Sequence, residues 1–155
     1  MNIVLAEINV RDIRVSDKEE FLGMVEGLFN SNATVTDYNE EIAILNFNNA
    51  LSGSSAIRCL IFEYKEIILG YAYISFSYST SMASKCLWLE DLYIKEEARR
   101  KGVGEYFINW LCNEYKKKVN TIHLEVTKDN FGARRFYESL KFKNSLYMQM
   151  CLDLV

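Results

Sequence analysis

Arg99, Gly102 and Gly104 stand in the order Arg-x-x-Gly-x-Gly, with Arg100 and Lys101 between them. They follow the apolar run Leu87-Trp-Leu-Glu-Asp-Leu-Tyr-Ile94 and open a stretch with helical spacing. Glycine has no Cβ, so a backbone N–H there can approach an anion closely. The first N–H groups of a helix lack intrahelical partners, and the macrodipole leaves that end positive. The turn therefore reads as a cradle for a pyrophosphate, with the charges of Arg99, Arg100 and Lys101 added at the same place. Taken alone it also fits a tight bend with a solvated basic face. A buried-looking strand before it and a second motif after it favour the ligand.

That second motif is Asn130-Phe-Gly-Ala-Arg-Arg-Phe-Tyr137-Glu-Ser-Leu-Lys-Phe142, a helix cap, a short helix and a return into a strand. The pair resembles the GNAT superfamily of N-acetyltransferases. Its cofactor turn reads Gln/Arg-x-x-Gly-x-Gly/Ala, and a later helix carries Asn-x-x-Ala-x-x-Phe-Tyr. Within it, Leu89-Glu90-Asp91-Leu92-Tyr93 and the Asn130 to Tyr137 helix look most like the spermidine/spermine (diamine) acetyltransferases and their bacterial relatives. The match runs from about Ile68 to Phe142.

The resemblance implies one N-acetyltransferase domain over residues 1–155, an α/β fold with a mixed, mostly antiparallel sheet of six to seven strands and helices on both faces. It implies acetyl-CoA as cosubstrate and no metal. The backbone of Leu92, Tyr93 and Ile94 would pair with the pantetheine arm like an added strand, and an N–H there would polarise the acetyl carbonyl. Arg99, Arg100, Lys101, Gly102, Val103, Gly104 and Glu105 would hold the pyrophosphate. Asn130 and Ala133 would cap the later helix and touch the cofactor. Tyr137 would lie near the coenzyme sulfur and protonate the departing thiolate, although an aromatic packed at a helix–sheet boundary fits that position too. Two departures stand out: Glu96 where the family often has proline, and Lys141 where it usually has the glycine that ends the helix in a left-handed conformation. A lysine there costs about 1 kcal/mol or forces another cap.

Acetyl transfer to an amine needs a neutral nucleophile. An alkylamine has a pKa of about 10.4, so it arrives charged and must lose a proton, which a nearby carboxylate can take directly or through water. Glu90 is the first candidate. Asp91, on the opposite face of a regular strand, would orient structure or the substrate ammonium. Glu125 is a rival base on the next strand. His123, the single histidine, shares that strand face and has no partner signature, so a hydrogen-bonded structural histidine is the better reading.

The leading function is transfer of acetyl to a primary amine of a small molecule, a polyamine or an amino-acid derivative. A protein or peptide amine, or a CoA-binding regulatory module without turnover, are the alternatives. The acceptor site would be built from the first two helices, the Asn30–Asp37 loop and the segment near Tyr78 to Ser84. Late apolar residues Tyr147, Met148 and Met150 suggest a homodimer.

The rest of the chain must position these groups. Its 155 residues, 50% hydrophobic and 14% aromatic, suit one domain with one substantial core. A net charge of −3 argues against a general nucleic-acid binder. The apolar run Ile67–Ile74 is too short for a bilayer, and no basic-then-apolar segment opens the chain as a signal peptide would. Cys59, Cys86, Cys112 and Cys151 are widely spaced, which argues against zinc or a disulfide scaffold and for core thiols of a cytoplasmic protein. The pattern predicts a strand over Ile3–Ile13 and a capping box at Ser16-Asp-Lys-Glu19 that opens a helix. A second helix is expected over Asn39 to about Leu51, with Ile42 and Leu45 on its buried side, then a loop from Leu51 to Ser55. Strands follow at Ile57–Tyr64, Ile67–Tyr78 and Cys86–Ile94, the first two joined by a tight turn at Lys65-Glu66. A helix over Gly102–Lys117, a strand over Thr121–Thr127, the Asn130 helix and one or two closing strands over Phe142–Leu154 complete the order.

Overall fold

The computed structural model describes residues 2–53 and 57–154. Its sheet has the order β1-β2-β3-β4-β5: β1 is Asn9–Asp12, β2 Ile57–Tyr64, β3 Ile67–Ser79, β4 Ser84–Ile94 and β5 Thr121–Leu124. Neighbours from β1 to β4 are antiparallel. β5 alone runs parallel, joined to β4 from Cys86↔Thr121 to Leu89↔Leu124. The β2–β3 turn forms at Lys65 and Glu66, both with positive φ (51° and 65°), as a two-residue turn matched to strand twist requires.

Helices cover both faces, as expected. α1 (Lys18–Phe29) and α2 (Glu40–Ser52) lie on one face, where Phe21, Val25 and Leu28 pack with Phe47, Ile61, Tyr71 and Tyr73. α3 (Val103–Tyr115) and α4 (Phe131–Ser139) lie on the other, where Val103, Phe107 and Leu111 pack with Leu60, Phe62, Leu87 and Leu89. Alternation along β2 to β4 feeds both layers.

Four expectations need correction. Only Asn9–Asp12 pairs in the first segment, since Leu5–Glu7 coils into a helical turn. The Ser16 box does not form. Val15–Asp17 makes a turn of its own, and the Asp17 carboxylate accepts from the Arg14 N–H (2.7 Å) and the Arg11 guanidinium (2.7 and 3.0 Å). A buried carboxylate is better served by a charged fork than by one amide. On α2 the buried side is Ala43 and Phe47, while Ile42 and Leu45 are 57% and 58% exposed. The helix start is as expected, and Asn39 caps it by accepting from the Ile42 N–H at 3.1 Å. Ser54 and Ser55 of the expected loop lie outside the described residues.

The fourth correction concerns the closing strands. The sheet has five strands, not six to seven, and among the described residues none follows α4. Leu146, Met148, Met150, Leu152 and Leu154 alternate as a strand would, yet each is at least 83% exposed. Alternation assigns faces, but a strand needs a ladder partner; among the described residues this segment joins no ladder, and the Tyr147 N–H donates locally to Ser145 Oγ. No described helix is long and apolar enough to cross a membrane.

Candidate active site

β4 is hydrogen-bonded to β3 as far as Gly70↔Ile94, but its ladder with β5 stops at Leu89↔Leu124. From Glu90 onward the two parallel strands part. The wedge between them is a groove of ≈ 840 Å³, bordered by Glu90 and Asp91 on one side, Leu124 to Lys128 on the other, and Tyr137 from α4. Beyond Leu89, among the described residues, the backbone edge of Leu92 to Ile94 has no strand partner on the β5 side.

The basic turn lies at the end of the same strand. Gly102 sits at the N-cap of α3 with φ 82°, a left-handed conformation natural to glycine. The first helical bond runs from the Tyr106 N–H to the Gly102 carbonyl at 2.9 Å, and no side chain caps this end. The N–H groups of Val103, Gly104 and Glu105 are therefore the orphan donors of a helix N-terminus. Arg99 donates from Nε to the Ile94 carbonyl at 2.8 Å and lies 5.4 Å from the Tyr93 ring. Lys101 donates from Nζ to the Glu97 carbonyl at 2.6 Å. Arg99 thus ties the turn to the strand end, and Lys101 ties it to the Glu97 backbone. Arg100 is exposed, with φ 56°. An uncapped helix start next to an open strand edge fits a nucleotide pyrophosphate followed by an extended amide arm.

Gly104 also has a packing role. A Cβ there would fall 3.1 Å from the Phe136 ring of α4, so this glycine lets the two helices close. Tyr93 is held by its side chain as well as its strand. Its ring stacks on Tyr71 (6.2 Å), and a Cβ on Gly27 of α1 would come within 2.6 Å of its hydroxyl.

A β-bulge decides where the carboxylates go. Tyr73 pairs with Asp91 and the next residue, Ile74, pairs with Leu89, leaving Glu90 as the extra residue. The regular alternation expected here is broken, and both Glu90 and Asp91 border the groove. Glu90 is exposed and accepts from the Ser75 hydroxyl. Asp91 is mostly buried, and burial pushes its carboxyl up to about 6, with the Glu90 charge adding and a Tyr71 hydrogen bond (3.3 Å) opposing. A carboxylate poised there is well matched to accept a proton near neutrality. Asp91 was assigned the lesser role from sequence because a bulge leaves no mark in residue types.

Asn130 caps α4 by accepting from the Ala133 N–H at 3.1 Å. Tyr137 packs against Phe136 and Phe142 (5.1 and 5.5 Å), and burial pushes its phenol up to about 12, so it stays protonated. The helix then ends in a full left-handed cap despite the lysine. Lys141 takes φ 72°, its N–H donates to the Glu138 carbonyl (3.0 Å), and the Phe142 N–H donates to the Tyr137 carbonyl (3.1 Å). The lone histidine has local partners, His123 Nε2 lying 2.9 Å from Thr121 Oγ1 and its ring stacking on Trp88, and it also borders the groove. Glu125 is exposed on the far side of the groove.

A parted parallel strand pair, an uncapped helix start and an acid–phenol groove define an acyl transferase that draws on a nucleotide-linked thioester. The Acetyltransferase (GNAT) family model matches residues 24–142, and the chain belongs to that family. It is an N-acetyltransferase. Solved structures agree in fold. A possible acetyltransferase from Clostridium difficile 630 superposes with a TM-score of 0.84 at 19% identity, covering 96% of this chain and 98% of that one. A ribosomal-protein-alanine N-acetyltransferase from Brucella melitensis biovar Abortus 2308 gives 0.76 at 12%, covering 94% and 99%. A predicted acetyltransferase with acetyl-CoA from Clostridium acetobutylicum gives 0.73 at 17%, covering 93% and 96%. No curated protein sequence matches the chain.

Proposed function

We propose that this enzyme acetylates a primary amine of a small molecule, with acetyl-CoA as donor. When bound, acetyl-CoA supplies an acetyl group activated as a thioester. The chain's own residues do the rest. The orphan N–H groups of Val103, Gly104 and Glu105 hold the pyrophosphate, and the free edge of Leu92 to Ile94 aligns the pantetheine arm. Asp91 takes the proton from the incoming ammonium. Glu90, hydrogen-bonded to Ser75 at the groove's surface, passes it to water. Tyr137 donates its phenolic proton toward the departing sulfur and regains it from solvent.

One observation carries this reading: Glu90, Asp91 and Tyr137 border a single groove beside the free edge of β4. The Leu89–Tyr93 resemblance supports a polyamine or amino-acid-like acceptor. Thiol release measured with acetyl-CoA and a panel of amines tests it, and release no faster than the thioester's own hydrolysis with every amine would overturn it. A homodimer in the cytoplasm completes the proposal, supported by the 88–91% exposure of Tyr147, Met148 and Met150 and by four free cysteines. Sedimentation showing only monomer at micromolar concentration would remove the dimer.

A further inference from the structure

Asp91 also borders a second, smaller cavity, on the side of the sheet covered by α1 and α2. This cavity measures ≈ 200 Å³ and does not involve the groove's Tyr137 or β5. Phe21, Val25 and Phe29 form one wall, four residues apart along α1, and Ile42 and Ala43 of α2 form the other. Tyr73 and Asp91, paired across β3 and β4, form the floor. The mouth is the Thr36–Asn39 segment. The Asn30–Asp37 region and the first two helices thus contribute to this space as the sequence led us to expect, whereas Tyr78–Ser84 does not line it.

We infer that this cavity receives the body of the acceptor, and that the acceptor is a compact amine with an aromatic or branched apolar body and one ammonium. The inference rests on the acetyl-transfer reading and narrows its substrate class. Asp91 belongs to both cavities, so an ammonium held by it faces the groove while its carbon body points between the helices. A volume of ≈ 200 Å³ equals the share of about six or seven waters, room for one ring and a short arm. The two walls are mostly hydrocarbon, and the neutral polar groups on the lining include Asn46 and the buried Tyr73 hydroxyl, which has no hydrogen-bond partner among the described residues. The only other carboxylate on the lining is Asp37, which is exposed at the mouth. A polyamine would put its second ammonium among Phe21, Val25 and Ala43 with no carboxylate beside it, and a buried charge without a counter-charge is expensive. Ile42 fits the same account. It is a large apolar side chain left 57% exposed where a ligand body would cover it.

Thiol release with 2-phenylethylamine, ethylamine and spermidine as separate acceptors tests the inference. The expected kcat/KM for 2-phenylethylamine exceeds that for either of the others by about tenfold or more, the scale of discrimination by an apolar pocket. Ala43→Phe fills the cavity and should cut the 2-phenylethylamine-to-ethylamine ratio about tenfold. Ile42→Asp, at an exposed position that spares the fold, adds a carboxylate at the mouth and should move the ratio toward spermidine. Preference for spermidine in the wild type, or ratios unmoved by both substitutions, overturns the inference while leaving acetyl transfer intact. Should no amine release thiol, calorimetry decides: 2-phenylethylamine binding to the wild type and lost in Ala43→Phe upholds the pocket without the reaction, and no binding to the wild type sinks it.

Discussion

The two ends of this active site are made of different material. The cofactor end is backbone: three orphan N–H groups, one left-handed glycine and a strand edge that lacks a neighbour. The acceptor end is side chain, with Phe21, Val25, Tyr73 and Asp91 setting its size and charge. A backbone site follows from topology, and this fold recurs with a TM-score of 0.84 at 19% identity. A side-chain site is rewritten by single substitutions. Recognition of the donor and choice of the acceptor are therefore separable in this fold.

The largest effect should come from the acceptor end. Asp91→Asn is expected to lower kcat about 10²–10⁴-fold, the range of general acid–base groups, and to do so more than Glu90→Gln. The wild-type rate should fall as pH drops through about 6, where Asp91 takes up a proton, and steady-state kinetics on Asp91→Asn should lack that limb. Stability should move the other way. A carboxyl raised above its unfolded value binds its proton more tightly in the folded state, so its ionisation destabilises the fold as pH rises from about 4 through about 6. Asp91→Asn removes that cost and should stabilise the fold at pH 7 by about 3 kcal/mol at most, read as a higher melting temperature. A variant that loses both stability and activity would return Asp91 to a structural role.

Tyr137→Phe comes next, at about 10²-fold in kcat with acetyl-CoA affinity unchanged by calorimetry. Because the substitution removes a donor rather than an acceptor, raising the pH should not rescue it. Full activity would leave Tyr137 as packing only. Gly104→Val blurs the contrast between the two ends on purpose. Its side chain meets Phe136, so thermal melts should show about 1–3 kcal/mol of destabilisation together with weaker acetyl-CoA binding. A loss of binding at full stability would mean that the added side chain meets the ligand rather than Phe136. The smallest effect is a gain: Lys141→Gly relieves φ 72° and should add about 1 kcal/mol by denaturant titration, with kinetics unaltered.

The sequence made the cofactor end legible and left the acceptor end obscure. Arg99-x-x-Gly-x-Gly104 and Asn130 to Tyr137 are local signals, and the strand–turn–helix geometry that gives them meaning is local too. Even Lys141 was readable, because the resemblance puts a helix-ending glycine where this chain has lysine. The bulge at Glu90 was not, since it depends on how β4 registers with β3. Nor was the α2 face. Ile42 and Leu45 satisfy helical spacing as well as Ala43 and Phe47 do, and only packing against Phe21 (5.6 Å from Phe47) decides between them. The closing strands failed for a related reason, because a period of two says nothing about whether a partner edge is present.

The groove exists because β5 holds β4 through only four residue pairs, Cys86↔Thr121 to Leu89↔Leu124. β3 and β4, by contrast, zip along nearly their whole length as an adjacent hairpin. Local opening follows the weakest ladder, so amide protons of Thr121 to Leu124 should exchange with deuterium well before those of Tyr71 to Ser75. Closing a hairpin also costs less chain entropy than a parallel crossover through a helix. The acceptor floor would then be laid down early in folding, and the wall that completes the groove would dock last and detach first.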